Sequence, residues 1–195
     1  FDVVAKPQNF TALRVSIIPE SDNPAELPER GSVLSQLILH KVKADGTKQP
    51  IQLAHVFADS IVGPHDPNGS IRGGGDGFGG YPKLFKKRQA VFVPSEPMSF
   101  AANESLEISI KNGMSTTGAQ ACTLRRFSIE SSQSAEWKKL ITSKDYPQSK
   151  ATLAKTKKAY NEVKGLSMPI IQQRPDEARR ETRLFIGGLW LNKGD

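Results

Sequence analysis

The sequence contains a single cysteine, Cys122, among its 195 residues. One cysteine cannot form an internal disulfide or a cysteine-rich metal site. The Cys-x-x-Cys-His signature that attaches haem c is missing for the same reason. Because Cys122 precedes Thr123 and Leu124 in a strand-like run, we interpret it as a small core residue and not as a reactive thiol.

Long apolar runs are also missing. No stretch approaches the roughly 18 residues that a membrane-spanning helix needs, so the sequence predicts no membrane span. The first residues, Phe1 to Val3, resemble neither an initiator nor a signal peptide, so a mature or excised segment is expected. The length suits one domain of ordinary size with an appendage.

Motifs of known enzymes are absent. The chain has no Gly-x-Ser-x-Gly elbow, no Walker loop and no His-Glu-x-x-His sequence. Its three histidines, His40, His55 and His65, are too scattered to predict a zinc site, which needs at least three convergent ligands. We therefore expect no enzyme activity. Hydrolysis of a glycan by two carboxylates stays open as an alternative, because such partners meet only in the folded chain.

Positive charge is concentrated in the C-terminal part. The whole chain has a formal charge of +7, and residues 133–195 hold 13 Lys or Arg against 7 Asp or Glu. Only Tyr160 is interleaved with the lysines of the predicted second helix, which is poor for base stacking, so we expect a solvated face and no nucleic acid. An anionic polysaccharide is the alternative partner of that face. Its lysines are Lys150, Lys155, Lys157, Lys158 and Lys164.

Residues 1–132 alternate short apolar runs with Gly, Pro, Asn and Asp, which is typical of an all-β sandwich. The Asp45-Gly46 step predicts a hairpin turn. From Leu106 to Lys111 apolar and polar residues alternate, so that strand should have one buried and one wet face. Strands are predicted at Ala12–Pro19, Val33–Val42, Ile51–Phe57, Gln89–Val93, Ser105–Lys111 and Thr123–Glu130.

The pattern changes after Ser134. A short helix is predicted from Trp137 to Ile141 and a longer one from about Ser149 to Lys164, with a narrow apolar stripe that suits a helix lying on another surface. Thr182 to Leu191 has the pattern of a strand with a Gly-Gly kink. We therefore predict a β-sandwich module at residues 1–132 and a basic helical extension at 133–195, whose last strand can pack back on the sandwich.

Several short segments carry a resemblance to a known family. Phe10 to Arg14, Glu29 to Leu37 and Leu124 to Ile129 are similar to strands of an insert domain, and Arg179 to Asp195 is similar to the segment that follows it. The chain thereby resembles the planctomycete-type cytochrome c-associated proteins, which are large surface or periplasmic chains. It departs from their pattern at Ala12, Gln36 and Gly187, where the family has Gly, Glu and Arg.

This resemblance implies a fold, a location and partners. The fold would be a galactose-binding-like jelly roll, as in discoidin domains and many carbohydrate-binding modules. The location would be periplasmic or extracellular. The partners would be a polysaccharide or the flanking domains of the same chain.

A glycine-rich segment is the first candidate site. Residues 63–80 hold eight of the 16 glycines, and glycine lets a backbone come close to a ligand. The candidate ligand-binding residues in and beside this segment are Arg72, Asp76, Phe78 and Tyr81. The rings of Phe78 and Tyr81 are the candidates for stacking on a sugar. The alternatives are a flexible hairpin insertion without a ligand and a calcium site, since carboxylates and carbonyls are the ligands of Ca²⁺.

An acidic loop at Glu20 to Arg30 is the second candidate site. Asp22, Asn23 and Glu26 are candidate ligands for a structural Ca²⁺, the one cofactor that the sequence suggests. The predicted sandwich has no Trp to stack on a sugar, and we interpret Trp137 and Trp190 as packing anchors of the extension. By analogy with the fold that the resemblance implies, we expect a non-catalytic, carbohydrate-binding module of a larger protein, with a structural spacer and a glycan hydrolase as the alternatives.

Overall fold

The computed structural model describes residues 2–5, 9–23, 27, 32–61, 66–73, 77–79, 86–112, 123–163 and 165. In this part of the chain, strands and helices follow one another as β1 (Asp2–Ala5), β2 (Ala12–Ile17), β3 (Val33–Val42), β4 (Lys48–Pro50), β5 (Leu53–Ala58), α1 (Gly69–Arg72), β6 (Phe78–Gly79), β7 (Arg88–Pro94), β8 (Ser105–Asn112), β9 (Phe127–Ser132), α2 (Glu136–Thr142) and α3 (Asp145–Glu162).

The strands form two antiparallel sheets. In the first sheet the order is β1-β8-β3-β4, and β6 pairs with the other end of β3. The second sheet has the order β5-β7-β2-β9. Strands that are neighbours in space are mostly distant in sequence, because the chain passes from one sheet to the other at almost every connection. This arrangement of two antiparallel sheets confirms the predicted mainly β fold.

The two sheets enclose one hydrophobic core. Leu13 and Val15 of β2 and Phe92 of β7 come from the second sheet, and Leu39 of β3 and Ile108 of β8 come from the first. All five are almost inaccessible to solvent. A strand exposes successive side chains on opposite faces, so the remaining residues of these strands lie on the two outer faces of a sandwich-like body.

Two local predictions are confirmed. In β8, Leu106, Ile108 and Ile110 are buried and alternate with more exposed polar residues. The chain turns at Gly46, with φ of 82°, and β4 then pairs with the end of β3. Glycine suits that turn because the left-handed region carries a steric cost for other residues.

The glycine-rich segment is partly built into the core. Ser70 of α1 is buried, and its hydroxyl donates to the carbonyl of Leu34 and accepts from the amide of Phe78, both at 2.8 Å. Gly77 lies so close to β3 that a Cβ atom there would be 2.1 Å from the Leu34 carbonyl oxygen. At these positions the segment is packed against β3, and it is not a free hairpin tip.

We call α2 and α3 together the arm. Trp137 of α2 donates from Nε1 to the Ser132 hydroxyl (3.2 Å), and Lys138 pairs with Glu96. Most side chains of α3 are exposed, including Leu153 and Tyr160 of its apolar stripe, so the sandwich does not cover the stripe as the sequence predicts. Within the described residues, no helix is both long and apolar enough to cross a membrane.

Candidate functional site

The outer face of the second sheet carries a groove. Strand pairing places Phe57, Val91, Arg14 and Glu130 side by side across β5, β7, β2 and β9. Together with Trp137 of the arm, they line a cavity of about 520 Å³, which we call the sheet groove. Its residues alternate with core residues such as Leu13 and Val15, so the pleat of the strands turns them outward.

Aromatic rings from the sheet and the arm form a row beside the sheet groove. Trp137 lies 6.1 Å from Phe57, Phe57 lies 4.5 Å from His55, and His55 lies 5.4 Å from Tyr146, measured between ring centroids. Phe57 and Trp137 are half-buried and both line the groove. The row gives one wall an apolar, polarisable surface.

An ion pair crosses the floor of the groove. Arg14 donates a short hydrogen bond from Nη2 to Glu130. This bond, together with the positive charge of Arg14, holds the pKa of Glu130 below its usual value. Glu130 therefore stays ionised at neutral pH, whereas the general acid of a glycosidase needs a raised pKa.

Asp59 and Gln89 provide the polar end of the groove. Asp59 accepts from Nε of Arg88 through both carboxylate oxygens (2.9 and 3.1 Å) and from the backbone amide of Gln89 (3.1 Å). The guanidinium of Arg88 also donates to the Gly79 and Ser60 carbonyls. These contacts hold Asp59 in place, so the groove has a rigid carboxylate at one end.

His55 joins the sheet to α3. The Tyr146 hydroxyl lies 3.0 Å from Nδ1 of His55. Burial lowers the pKa of His55, and the positive charge of Lys150 lowers it further, against an opposing effect of Asp66. The imidazole is therefore neutral at neutral pH, and its Nδ1 can accept the hydroxyl proton of Tyr146.

The residues predicted to bind a ligand in the glycine-rich segment do not come together as one surface. Phe78 is only 1% exposed and belongs to the core, so its ring has no face open to a sugar. Arg72 is exposed and forms an ion pair with Asp66 at 2.9 Å. Asp76 and Tyr81 lie outside the described residues.

The predicted calcium ligands are placed only in part. Asp22 and Asn23 are exposed, and the backbone amide of Asn23 donates to the Ser21 hydroxyl at 3.0 Å. Glu26 lies outside the described residues, as do Cys122 and the predicted strand from Thr182 to Leu191. Where the structure describes the chain, it contains no group of three His, Cys, Asp or Glu side chains that could hold a metal ion.

Asp66 fastens the far end of α3 to the sandwich. Its Oδ2 lies 2.9 Å from Nζ of Lys157 in α3 and 2.9 Å from Nη2 of Arg72 in α1. Burial alone would raise the pKa of Asp66, but hydrogen bonds from Lys157 and Asn68 outweigh it and lower the pKa from 3.8 to about 2. The carboxylate is thus stabilised in its charged form.

This shift predicts how stability depends on pH. Because the pKa of Asp66 is depressed in the folded state, its contribution is complete above about pH 4 and is lost as the pH falls toward 2. The difference in unfolding free energy between the wild type and Asp66→Asn should therefore be constant near neutrality and disappear over that acidic range. Denaturant titrations at several pH values measure it. A difference that persists unchanged at pH 2 would contradict the assignment, and Asp22→Asn serves as an exposed control.

Sequence reasoning missed the groove residues themselves. Arg14 between Leu13 and Val15 is a weak signal, since a charged residue between two core residues of a strand must face outward. The sequence predicts that Trp137 packs within the extension, whereas the structure brings its ring to Phe57, which lies 80 positions earlier in the chain. No local pattern indicates that pairing.

No protein-family model matches the chain, and neither a curated protein nor a solved structure does so.

Proposed function

We propose that this chain is a non-catalytic module that binds a polysaccharide in the sheet groove, within a larger periplasmic or extracellular protein. The observation that carries the proposal is the juxtaposition of Trp137 and Phe57 with Arg14, Glu130 and Gln89 around one open cavity. Sugars present apolar C–H faces beside hydroxyl groups, so they are bound by aromatic rings flanked by planar polar side chains.

The arm supplies a tryptophan side chain, which residues 1–132 do not provide. A sugar-binding sandwich needs an exposed aromatic platform, and residues 1–132 contain no Trp. Trp137 supplies that platform from outside the sandwich, and its Nε1 hydrogen bond to Ser132 fixes the ring beside the groove. The groove is therefore built jointly by the second sheet and by α2.

We further propose that the two sheets form a galactose-binding-like jelly roll. Two antiparallel sheets and a chain that changes sheet at most connections are features of jelly rolls and support it. The resemblance to planctomycete-type cytochrome c-associated proteins supports both this fold and the extracytoplasmic location.

A binding role fits the groove better than hydrolysis does. Asp59 and Glu130 are two carboxylates on its lining, as a hydrolase would require. However, each is engaged by an arginine, and the pKa of Glu130 is lowered where a general acid needs it raised. These charges can instead accept hydrogen bonds from sugar hydroxyls.

Replacing Trp137 tests the proposal. A glycan array with the folded chain should identify a polysaccharide ligand, and Trp137→Ala should weaken its binding roughly 10- to 30-fold, as for a central aromatic contact. Calorimetric titration measures the change. The physical reason is that alanine removes the stacking surface and leaves the polar groups without an apolar wall.

Two further variants separate binding from folding of the arm. Gln89→Ala lies on the sheet and should also weaken binding, by a smaller factor, without touching the arm. Tyr160→Ala removes an exposed aromatic ring on α3 that does not line the groove, so it should leave affinity unchanged. Equal affinities for all four proteins, or no glycan binding by a folded chain, would refute the proposal.

One observation favours the alternative of a structural or interaction module. Tyr160 and Val163 near the end of α3 are 67% and 72% exposed, and Ile61 is 64% exposed. Apolar side chains with this exposure are suited to contact with a flanking domain. If no ligand is found for the sheet groove, this docking role becomes the function to test.

A further inference from the structure

The contact between α3 and the edge of the sandwich leaves an open seam. Tyr146 reaches His55 near one end of the helix, and Lys157 reaches Asp66 about 16 Å further along at 1.5 Å per residue. Leu153 lies between them on the same side, because positions 146, 150, 153 and 157 follow helical spacing. Leu153 is nevertheless 47% exposed, so the helix does not close onto the sandwich there.

Positive charge is in excess along this seam. Arg72 and Lys157 share a single oxygen of Asp66, at 2.9 Å each. Lys150 is the third cation. Its ammonium group lies over the Tyr146 ring, 5.8 Å from the centroid, and among the described residues it has no ion pair with a carboxylate. Two cations therefore contact one anion at Asp66, and Lys150 lies on the same side of α3, about two turns nearer the Tyr146 end. We call Arg72, Lys150 and Lys157 the cation cluster.

The seam also has apolar surface next to these charges. Tyr146 and Leu153 lie on the same side of α3 as Lys150 and Lys157. At the Tyr146 end, the aromatic row continues through His55 to Phe57, which lines the sheet groove. A long ligand in the groove can therefore extend toward the cation cluster along a continuous surface.

We propose that the seam is an anion subsite, in which the cation cluster binds the carboxylate or sulfate group of an acidic polysaccharide whose backbone lies in the sheet groove. This deepens the proposed function and rests on it, since it specifies the class of polysaccharide. Lys150 is the main contact, because its charge has no carboxylate partner in the described structure and it stands beside an aromatic ring. Arg72, with 63% of its side chain exposed, is the second.

Binding of paired probes tests the subsite. Polygalacturonate offers carboxylates, dextran sulfate offers sulfates, and dextran is a neutral reference. Acidic probes should bind at least about fivefold more tightly than dextran in low salt, an effect of the size expected for exposed ion pairs, and the preference should shrink as salt is added. Comparing the two acidic probes shows which anion the subsite prefers.

A matched pair of lysine variants distinguishes a site from general attraction. Lys150 and Lys155 lie on the same helix, and Lys155 points to the opposite side by helical spacing. Lys150→Gln should reduce acidic binding about fivefold and leave dextran binding unchanged, whereas Lys155→Gln should change neither. Lys150→Arg should restore most of the lost affinity. Arg72→Gln should act in the same direction as Lys150→Gln.

Each contrary result has a definite meaning. Equal losses in Lys150→Gln and Lys155→Gln, or equally tight binding of a nucleic acid of matched charge, would overturn the subsite in favour of unspecific attraction. Binding of dextran that depends on Trp137 but not on Lys150, with no preference for acidic probes, would overturn the subsite and leave the sheet groove intact. Failure of every glycan to bind would refute the groove and the subsite together.

Discussion

Replacement of Asp59 by alanine is expected to lower the free energy of unfolding by about 2 to 3 kcal/mol, because Arg88 is buried whereas Asp59 is one-third exposed. Arg88 is 3% exposed and directs its Nε at both oxygens of Asp59. Its guanidinium group lies over the Phe78 ring, 5.5 Å from the centroid, at the edge of the core. Alanine removes the counter-charge of a guanidinium that stays buried, and a buried charge without its counter-charge is strongly unfavourable.

The size of this effect can be separated from the general cost of a substitution. Asp22→Ala removes an exposed carboxylate and should change stability by no more than about 0.5 kcal/mol. The double variant Arg88→Met/Asp59→Ala should recover part of the loss, because an apolar pair removes the buried charge as well. Urea titrations of the four proteins measure these differences. A midpoint for Asp59→Ala equal to that of Asp22→Ala would show that the pair does not stabilise the fold.

The second large effect is expected for Gly77→Ala, at about 3 kcal/mol, in the upper part of the range for overpacking. The added Cβ would lie 2.1 Å from the carbonyl oxygen of Leu34 and 2.9 Å from the Ser70 hydroxyl. The first is a backbone atom of β3 and cannot rotate away. Strand β6 must therefore move, which separates the Ser70 hydroxyl from its two backbone partners and displaces Phe78 from the core.

Two glycines elsewhere provide the comparison. Gly165 has nothing within 4 Å of an added Cβ, so Gly165→Ala should be nearly neutral. Gly46 also has free space but a φ of +82°, so alanine there should cost about 1 to 2 kcal/mol through backbone strain alone. Thermal unfolding ranks the three variants. If Gly77→Ala is as stable as Gly165→Ala, the close approach between β6 and β3 is not a feature of the folded chain.

Much of the secondary structure could be predicted from local patterns. Strand β3 has the predicted limits, Val33 to Val42, and each of the other five strands predicted in residues 1–132 overlaps an observed one. Both predicted helices are present, although α3 begins earlier, at Asp145. Runs of apolar residues with period two, bounded by turn residues, are strong local signals. Strands β1, β4 and β6, with four, three and two residues, are too short to show that period.

The residues of the candidate site could not be predicted from local patterns in the sequence. The density of glycine near residues 63–80 suggested a ligand loop, but Gly77 is needed for contact with β3 and Phe78 fills the core. Glycine permits close approach to a ligand and to another strand equally well. Composition therefore could not distinguish a binding loop from a packed one.

Local patterns in the sequence are sufficient to predict a mainly β module, the alternation of buried and exposed positions along strands such as β8, and the basic helices of the arm. These properties follow from local spacing of side chains. The pairing of Arg14 with Glu130, the contact of Trp137 with Phe57, and the meeting of Arg72 and Lys157 at Asp66 are visible only in the folded chain. Such contacts depend on the order and register of strands distant in sequence, which a whole hydrophobic core selects and no single segment encodes.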